Sequence, residues 1–217
     1  SSNFDSQIAN FDKMADGQEW KGNWALSTVY KPNDVVKYGG YLYIANTGHT
    51  SATTTSDGLE LDQSKWDLFC EGFDWLGDWG VTTRYKVNDI VRYGGVMYLC
   101  TEAHTSGASV GDGLELDQSK WDLFANGLTW LNAWIATTRY KKGDVVRYGG
   151  QVYVCNTGHT AGADNTAGLE ADQAKWDYLH KGIEYLGDWV TGTRYKNNDV
   201  VKYGSDLWIC GTYHTAG

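Results

Sequence analysis

The chain has 217 residues, including 11 Trp, 15 Tyr and 27 Gly but only one Pro. Its net charge of −9 argues against nucleic-acid binding, because phosphates need a basic protein surface. No apolar run approaches the roughly 20 residues of a membrane span, so we expect no membrane insertion. The abundance of Gly, Thr, Tyr and Val also disfavours a helical bundle.

A repeat with a period of about 55 residues organises the sequence, and such a fixed period is typical of repeat proteins. Residues 20–72 align with residues 75–127 without a gap, and 30 of the 53 positions are identical. Four residue types recur at this interval: Trp24, Trp79, Trp134 and Trp189; Tyr30, Tyr85, Tyr140 and Tyr195; Asp34, Asp89, Asp144 and Asp199; His49, His104, His159 and His214. We therefore predict a tandem array.

The period divides the chain into five predicted segments. Phe11-Asp12-Lys13-Met14 lies one period before Trp66-Asp67-Leu68-Phe69 and resembles the end of an earlier repeat. The segments are residues 1–17 as the tail of a preceding repeat, repeats at 18–72, 73–127 and 128–182, and a truncated repeat at 183–217. We expect the sequence to be part of a longer array.

Residues 73–127 show the predicted elements of one repeat. Phe73, Trp75 and Trp79 lie at every second position, with Gly77 between the two tryptophans, and this period of two predicts a strand. The remaining predicted elements are a strand at 89–93, a return strand at 96–100, a loop at 102–113, a helical turn at 114–117 and a closing strand at 120–124. Gly94-Gly95 predicts a tight hairpin turn in which both glycines have positive φ. Trp24, Trp66 and Tyr43 are predicted core residues.

These elements predict an all-β fold, a tandem array of small antiparallel β modules. A module of about 55 residues buries little core and needs neighbours for stability. Between Gly72 and Trp79 there is no Pro, Ser-rich spacer or charge run. We therefore expect a stiff, head-to-tail rod rather than modules on flexible linkers.

The cysteines favour neither disulfides nor a metal site. Three of them lie at one repeat position, each four residues before a histidine: Cys100, Cys155 and Cys210. Ala45 takes this position in the first repeat, which favours a small buried apolar side chain. Zinc would need two such pairs, so we predict no metal. The histidines are predicted to bond the loop backbone.

Recurring acidic residues leave two interpretations open. Glu60, Asp62 and Asp67 return one repeat later, and oxygen-rich loops of this kind can hold calcium. Their spacing matches no EF-hand loop, so solvated charge with turn or helix capping is the favoured interpretation. Asp34 and its equivalents precede β-branched pairs, which predicts an Asx-type turn at the strand entrance.

No catalytic constellation is recognisable. An enzyme carries its acid and base, or its nucleophile and base, in one cleft. Here each polar feature occurs three or four times along the chain. We therefore predict no enzyme activity, no catalytic residues and no cofactor.

The motif of each repeat resembles a known family. Trp79, Tyr85, Asn88-Asp89-Ile90-Val91, Tyr93-Gly94-Gly95 and His104-Thr105-Ser106 are similar to the chitinase-associated carbohydrate-binding modules of families 5 and 12. The resemblance implies a compact β module that binds sugars. The adjacent aromatic pair that meets chitin in family 5 is replaced here by Thr47-Gly48-His49-Thr50.

The tandem form is similar to a different set of proteins. Repeats closing with Gly-Leu-Glu-x-Asp-Gln-x-Lys-Trp-Asp resemble those of virion structural and fibre proteins from tailed phages of marine cyanobacteria. This resemblance implies a non-enzymatic virion fibre. Its expected partners are other virion subunits or a second copy, and host surface glycans. The alternatives are the polysaccharide-binding region of a secreted glycoside hydrolase and an extracellular filament of a cell.

One repeated aromatic position is the candidate carbohydrate-binding site. It holds Trp20, Trp75, Trp130 and Tyr185, which we call the aromatic set. Exchange of Trp for Tyr preserves a flat face with a polar tip, which suits stacking on a sugar ring. The alternative is that these side chains pack the junctions between repeats.

Overall fold

A computed structural model describes residues 17–53, 58–109, 111, 113–163 and 168–217. The predicted tail at 1–17 lies outside these residues except for Gly17. The chain divides into two compact units: Ser1–Asp74 with Arg84–Asp89 and Thr101–Thr105, and Trp75–Thr83 with Ile90–Cys100 and Ser106–Gly217. This division falls inside residues 73–127, so the repeat boundaries stay a prediction.

The same elements recur along the chain. The first set is β1 (Glu19–Asn23), β2 (Val29–Tyr30), β3 (Asp34–Tyr38), β4 (Tyr41–Ala45), β5 (His49–Thr50), the 3₁₀ helix η1 (Gly58–Lys65) and β6 (Trp66–Cys70). The second is β7 (Asp74–Asp78), β8 (Arg84–Tyr85), β9 (Asp89–Tyr93), β10 (Val96–Cys100), β11 (His104–Thr105), η2 (Gly113–Lys120) and β12 (Trp121–Ala125).

The third and fourth sets follow the same order. The third is β13 (Thr129–Ala133), β14 (Arg139–Tyr140), β15 (Asp144–Tyr148), β16 (Gln151–Cys155), β17 (His159–Thr160), η3 (Gly168–Lys175) and β18 (Trp176–Lys181). The fourth is β19 (Glu184–Asp188), β20 (Arg194–Tyr195), β21 (Asp199–Tyr203), β22 (Asp206–Ile209) and β23 (His214–Thr215). The prediction of an all-β tandem array is confirmed.

Each complete repeat contains one mixed four-stranded sheet. In the first its order is β1-β3-β4-β6, where β1 is parallel to β3 and the other neighbours are antiparallel. The parallel pair departs from the predicted antiparallel module. The short strand β2, which lies between β1 and β3 in the chain, pairs with β5 outside this sheet, so β1 and β3 become direct neighbours. The fourth set forms a three-stranded sheet, β19-β21-β22.

A compact aromatic core lies on one face of the sheet. In the first repeat it contains Tyr30, Val36, Tyr38, Ala45, Leu59 and Trp66. The Tyr30 and Trp66 rings meet edge to face at 5.0 Å. Such pairs add about 0.5–1.5 kcal/mol beyond their buried area. Of the predicted core residues, Trp66 is buried, whereas Trp24 and Tyr43 are half-buried against the core.

The Gly-Gly turn between the two central strands uses its glycines differently. Gly39 has φ of 62°, in the left-handed region that favours glycine. Gly40 does not have positive φ; instead, an added Cβ would lie 2.4 Å from the Gly72 carbonyl oxygen and 2.6 Å from Asn88 Cβ. The prediction of positive φ at both glycines of the turn is therefore wrong. Only the first glycine has positive φ, and the second is required because neighbouring backbone leaves no room for a Cβ.

The helical turn predicted from Leu114-Glu115-Leu116-Asp117 is present as a 3₁₀ helix. Asp117 interrupts its helical dihedrals with φ of −109° and ψ of 21°. Leu114 is 2% exposed and belongs to the buried interior. Gly113 has φ of 59°, and a Cβ there would overlap the Tyr93 hydroxyl. The turn thus brings Glu115 beside Tyr93.

Direct contacts replace a linker where one repeat follows another. In the first unit, Glu60 accepts a hydrogen bond from the Tyr38 hydroxyl at 2.8 Å and pairs with Arg84 at 3.3 Å. The Lys86 ammonium lies 4.7 Å from the centre of the Tyr38 ring. The second unit repeats this cluster twice: Tyr93, Glu115, Arg139 and Lys141; Tyr148, Glu170, Arg194 and Lys196.

The recurring histidines and aspartates support loops. His49 Nδ1 lies 2.8 Å from the Thr47 carbonyl oxygen, and the other three histidines repeat this contact, as predicted. Asp34 accepts a hydrogen bond from the backbone N–H of Lys31, three residues earlier, and donates its own N–H to the Lys31 carbonyl. The aspartate therefore fixes the turn, although with the reverse direction from an Asx turn.

Candidate functional site

The aromatic set occupies one structural position. Each member is the second residue of its strand in β1, β7, β13 or β19. The side chains are 59%, 55%, 53% and 60% exposed, in the order Trp20, Trp75, Trp130 and Tyr185. Within the described residues, each side chain therefore keeps most of its surface open to solvent instead of packing into a junction.

Strand register places Trp20 and Trp130 at the start of a line of paired residues across one face of the sheet. In the third repeat Trp130 pairs with Val145, Val145 with Val154, and Val154 with Asp177. Paired residues point to the same side of a sheet. Val145 is buried, so the indole lies beside a compact apolar surface. The first repeat has the same line: Trp20, Val35, Ile44 and Asp67.

The far end of this line is polar. Asp177 Oδ1 accepts a hydrogen bond from the Asn156 side-chain amide at 2.8 Å, and Asn46 donates to Asp67 in the same way at 3.1 Å. Each carboxylate retains further acceptor sites. An aromatic face at one end and an amide-carboxylate pair at the other thus mark the edges of one sheet face.

A β-bulge positions the aromatic side chain. In β13 the register shifts between Trp130 and Ala133, and Asn132 has φ of 70°. Asn132 also accepts a hydrogen bond from the Trp130 indole N–H at 3.0 Å. The other three repeats have glycine at this position with φ of 79° to 83°: Gly22, Gly77 and Gly187. Bulges re-aim side chains. β7 ends at Asp78, so Trp79 lies just outside the strand that was predicted to contain it.

Glycine at the bulge is needed for its dihedral angle alone. A Cβ added to Gly22, Gly77 or Gly187 would meet nothing within 4 Å. Asparagine adopts this conformation more readily than most residues, which explains why Asn132 replaces glycine. The sequence therefore maintains an unusual backbone conformation beside the exposed aromatic in all four repeats.

Neither the cysteines nor the acidic residues form a metal site in the described residues. No group of three or more His, Cys, Asp or Glu is arranged to hold an ion there. Cys155 is 1% exposed, and burial raises the pKa of its thiol to about 12. Cys100 and Ala45 are equally buried, which agrees with the predicted role as small apolar side chains.

The three acidic residues considered for calcium serve separate partners. Glu60 contacts Tyr38 and Arg84. Asp62 accepts the Ala52 backbone N–H at 2.9 Å, and Asp67 accepts the Asn46 amide. Capping and loop support therefore account for this cluster in the structure.

The position expected for paired aromatics in chitin-binding modules carries a loop-supporting histidine. His49 Nδ1 bonds the Thr47 carbonyl, and the imidazole lies 5.1 Å from the Trp66 ring. Its place is thus against the core. Trp20, by contrast, is exposed and lies on β1, which pairs with β3.

Comparison with known protein families identifies the repeat type. Carbohydrate-binding module family 5/12 matches residues 78–110 and 133–176. The match supports carbohydrate-binding-module-like repeats in these two stretches, and the matched family is a binding module rather than a catalytic one. No curated protein matches the chain.

The family match covers the core of the repeat but not the aromatic set. Trp75 and Trp130 each lie three residues before a matched stretch. Sequence reasoning found these aromatics from their recurrence, but it missed Asp67 and Asp177 as their partners across the sheet. Their position depends on strand register, although the recurrence of asparagine at equivalent positions, Asn46 and Asn156, was an available signal.

Proposed function

We propose that the chain is a non-enzymatic array that contacts surface glycans through the aromatic set. The observation that carries this proposal is the exposed flat ring held by a bulge at the same position in four repeats. Sugar rings stack on such faces, and their hydroxyls bond carboxylates and amides like those of Asp177 and Asn156. One weak contact per repeat gains strength from linkage, because tethering raises the effective concentration of each later site.

We further propose that the array belongs to a virion, as part of a fibre or tail-associated structure. The support is the direct contact between successive repeats and the resemblance of the closing motif to virion repeats. Other virion subunits or a second copy, and host surface glycans, are the proposed partners. No helix among the described residues is long and apolar enough to cross a membrane.

A second candidate is the polysaccharide-binding region of a secreted glycoside hydrolase. The match to carbohydrate-binding module family 5/12 favours it, since the resemblance to chitinase-associated modules implies such an enzyme. The gene neighbourhood and the full reading frame separate the two proposals. A hydrolase domain in the same frame supports the enzyme, whereas neighbouring virion genes support the fibre.

A glycan array tests the binding proposal. Its variant changes all members of the aromatic set to alanine: Trp20→Ala, Trp75→Ala, Trp130→Ala and Tyr185→Ala. The control variant changes the exposed leucine after each of three aromatics: Leu76→Ala, Leu131→Ala and Leu186→Ala. We expect the first variant to lose binding by roughly 100-fold through lost avidity, with the control unchanged. Equal loss in both variants, or no glycan bound by the wild type, contradicts the proposal.

A further inference from the structure

A groove lies where the first repeat meets the segment Thr101–Ala103 within the first compact unit. Its volume is about 270 Å³. The residues that bear on its chemistry are Tyr38, Tyr43, Glu60, Gln63, Glu102 and Ala103. This volume is slightly below the roughly 300–1,000 Å³ of common small-molecule pockets, which limits an occupant to about one small ring. It is separate from the aromatic set.

The groove combines an aromatic wall with hydrogen-bonding groups. Tyr43 is half-buried, and burial raises the pKa of its phenol, so the hydroxyl stays a donor at neutral pH. The Gln63 side chain is exposed, so its amide can reach a ligand from the solvent side. The Glu60 carboxylate is anchored by Tyr38 and Arg84 and retains free lone pairs.

The charges of the groove favour an uncharged ligand. Arg84 is paired with Glu60, so its charge is already compensated. The carboxylates of Glu60 and Glu102 disfavour phosphates and other anions. Sugar hydroxyls, in contrast, donate to carboxylates and exchange hydrogen bonds with an amide, while the ring contacts a tyrosine face.

The same groove occurs again two repeats later, almost closed. Tyr148, Tyr153, Glu170 and Gln173 line it as their equivalents do in the first unit, but its volume is only about 40 Å³. Tyr213 lines it in place of Ala103, and the Arg194 guanidinium lies 5.2 Å from the centre of the Tyr213 ring. Gln151 and Asn197 also line the closed groove, so Tyr213 is one of three side chains that accompany the loss of space.

We propose that the groove beside Ala103 binds one uncharged sugar unit, a terminal hexose or N-acetylhexosamine of a glycan chain. This inference rests on the proposed glycan-binding function but assigns a second contact on different residues. Tyr43 supplies the ring contact, Glu60 accepts a hydroxyl, and Gln63 both donates and accepts. The equivalent groove of the later junction, with Tyr213 in place of Ala103, is too small for such a ligand.

The chain provides its own blocking variant. Ala103→Tyr copies Tyr213 into the open groove, and Ala103→Gly copies the glycine found at this position in Gly48 and Gly158. Both substitutions use residues that the fold accepts at this place. Gln63→Ala removes one polar contact without touching the core, because Gln63 is exposed.

The test is titration of the full chain with the methyl glycosides of glucose, galactose and N-acetylglucosamine, followed by nuclear magnetic resonance. We expect at least one glycoside to shift the Gln63 side-chain amide signal in the wild type and in Ala103→Gly. Ala103→Tyr should weaken this binding by roughly tenfold or more, read from the Gln63 side-chain amide. Gln63→Ala should weaken it by roughly threefold, read from the backbone amide of Ala103. Unfolding midpoints check that both variants remain folded.

Two results overturn the proposal: no glycoside shifts signals of the groove, or Ala103→Tyr binds as the wild type does. Its failure is distinguishable from that of the aromatic set. Array binding that depends on Trp20, Trp75 and Trp130 but not on Ala103 removes only the groove. A groove response that Ala103→Tyr abolishes, in a chain whose aromatic variant binds normally, retains the groove and removes the aromatic set.

Discussion

Residues 128–182 and 183–217 begin with the same strands but differ in how their interiors are covered. Tyr148 is 7% exposed, whereas its equivalent Tyr203 is 63% exposed. An open apolar cleft of about 410 Å³ occupies the fourth sheet, lined by residues such as Trp208 and Cys210. The positions equivalent to Leu169 and Trp176, the side chains that fill this space in the third repeat, fall outside residues 183–217.

The fourth repeat keeps a smaller core than the third, made of Tyr195, Val201 and Ala216. β19, β21 and β22 form in the fourth repeat with the same register as in the third. In the third repeat, Leu169 of the 3₁₀ helix and Trp176 of the closing strand enlarge this core. The turn between the two central strands also differs, because Ser205 takes the place of its second glycine in the fourth repeat.

The closing tryptophan should give the largest effect. Trp176→Ala removes a buried side chain that meets Tyr140 at 4.9 Å and should lower the free energy of unfolding by about 3–5 kcal/mol. Chemical denaturation monitored by near-ultraviolet circular dichroism measures the change. Trp130→Ala, an exposed tryptophan in the same repeat, is the control and should change stability by less than about 0.5 kcal/mol. Equal effects would contradict the division between core and surface tryptophans.

The second glycine of the turn should give the next effect. Gly95→Ala places a Cβ 2.4 Å from the Gly143 carbonyl oxygen and 2.6 Å from that of Gly127, so we expect a loss of about 2–3 kcal/mol. Ser205→Ala, at the matching position of the fourth repeat, should be nearly neutral. Thermal unfolding of the two variants measures the difference. A neutral Gly95→Ala would show that the backbone contact is not tight.

The turn aspartate should give a smaller, pH-dependent effect. Burial raises the pKa of Asp89 from 3.8 to about 6, and burial also raises the pKa of Asp199. The stabilisation from a raised pKa is complete below about pH 4 and is lost as the pH rises through 6. Between pH 4.5 and 7 we expect a loss of about 1–2 kcal/mol from Asp89.

Substitution of this aspartate isolates its contribution. Asp89→Asn should flatten the pH dependence of the unfolding free energy, and Asp199→Asn should do so in the fourth repeat as well. The loop bond to the residue three positions earlier is the same in both. Identical pH profiles for wild type and Asp89→Asn would show that this carboxyl does not titrate in the range.

The junction ion pair should give the smallest effect. Glu170→Gln weakens contacts with Tyr148 at 2.8 Å and Arg194 at 3.2 Å, and we expect a loss of about 1 kcal/mol. A double-mutant cycle with Arg194→Gln measures the coupling. The effect should fall at high salt, since it is electrostatic. A coupling of zero at low salt would assign junction stability to backbone packing alone.

Much of the fold followed from local sequence signals. The strands around Gly94-Gly95 and the helical turn at Leu114 have patterns of β-branched, aromatic and turn residues that act over short distances. The parallel pairing of β1 with β3 did not follow, because it depends on where β2 is placed. The role of Gly40 was also hidden, since the backbone that it contacts at Gly72 is distant along the chain.

The candidate site was only partly predictable. Recurrence in every repeat identified Trp20 and its equivalents as a set, but it could not tell exposed from buried aromatics, because Trp66 recurs just as strictly. The bulge that turns Trp130 outward depends on a positive φ at Asn132, which the strand pattern does not reveal. The groove at Ala103 combines residues from two repeats that are distant along the chain, so no local pattern indicates it.

Oxidative footprinting of tryptophan tests the proposed glycan contact most directly. The chain is treated with N-bromosuccinimide alone and with the glycan that binds most strongly on the array, and modified residues are identified by mass spectrometry. We predict protection of Trp20, Trp75 and Trp130, while Trp208, which is 59% exposed outside the aromatic set, stays reactive. Full reactivity of all four tryptophans in the glycan complex, or equal protection of Trp208, would contradict the account.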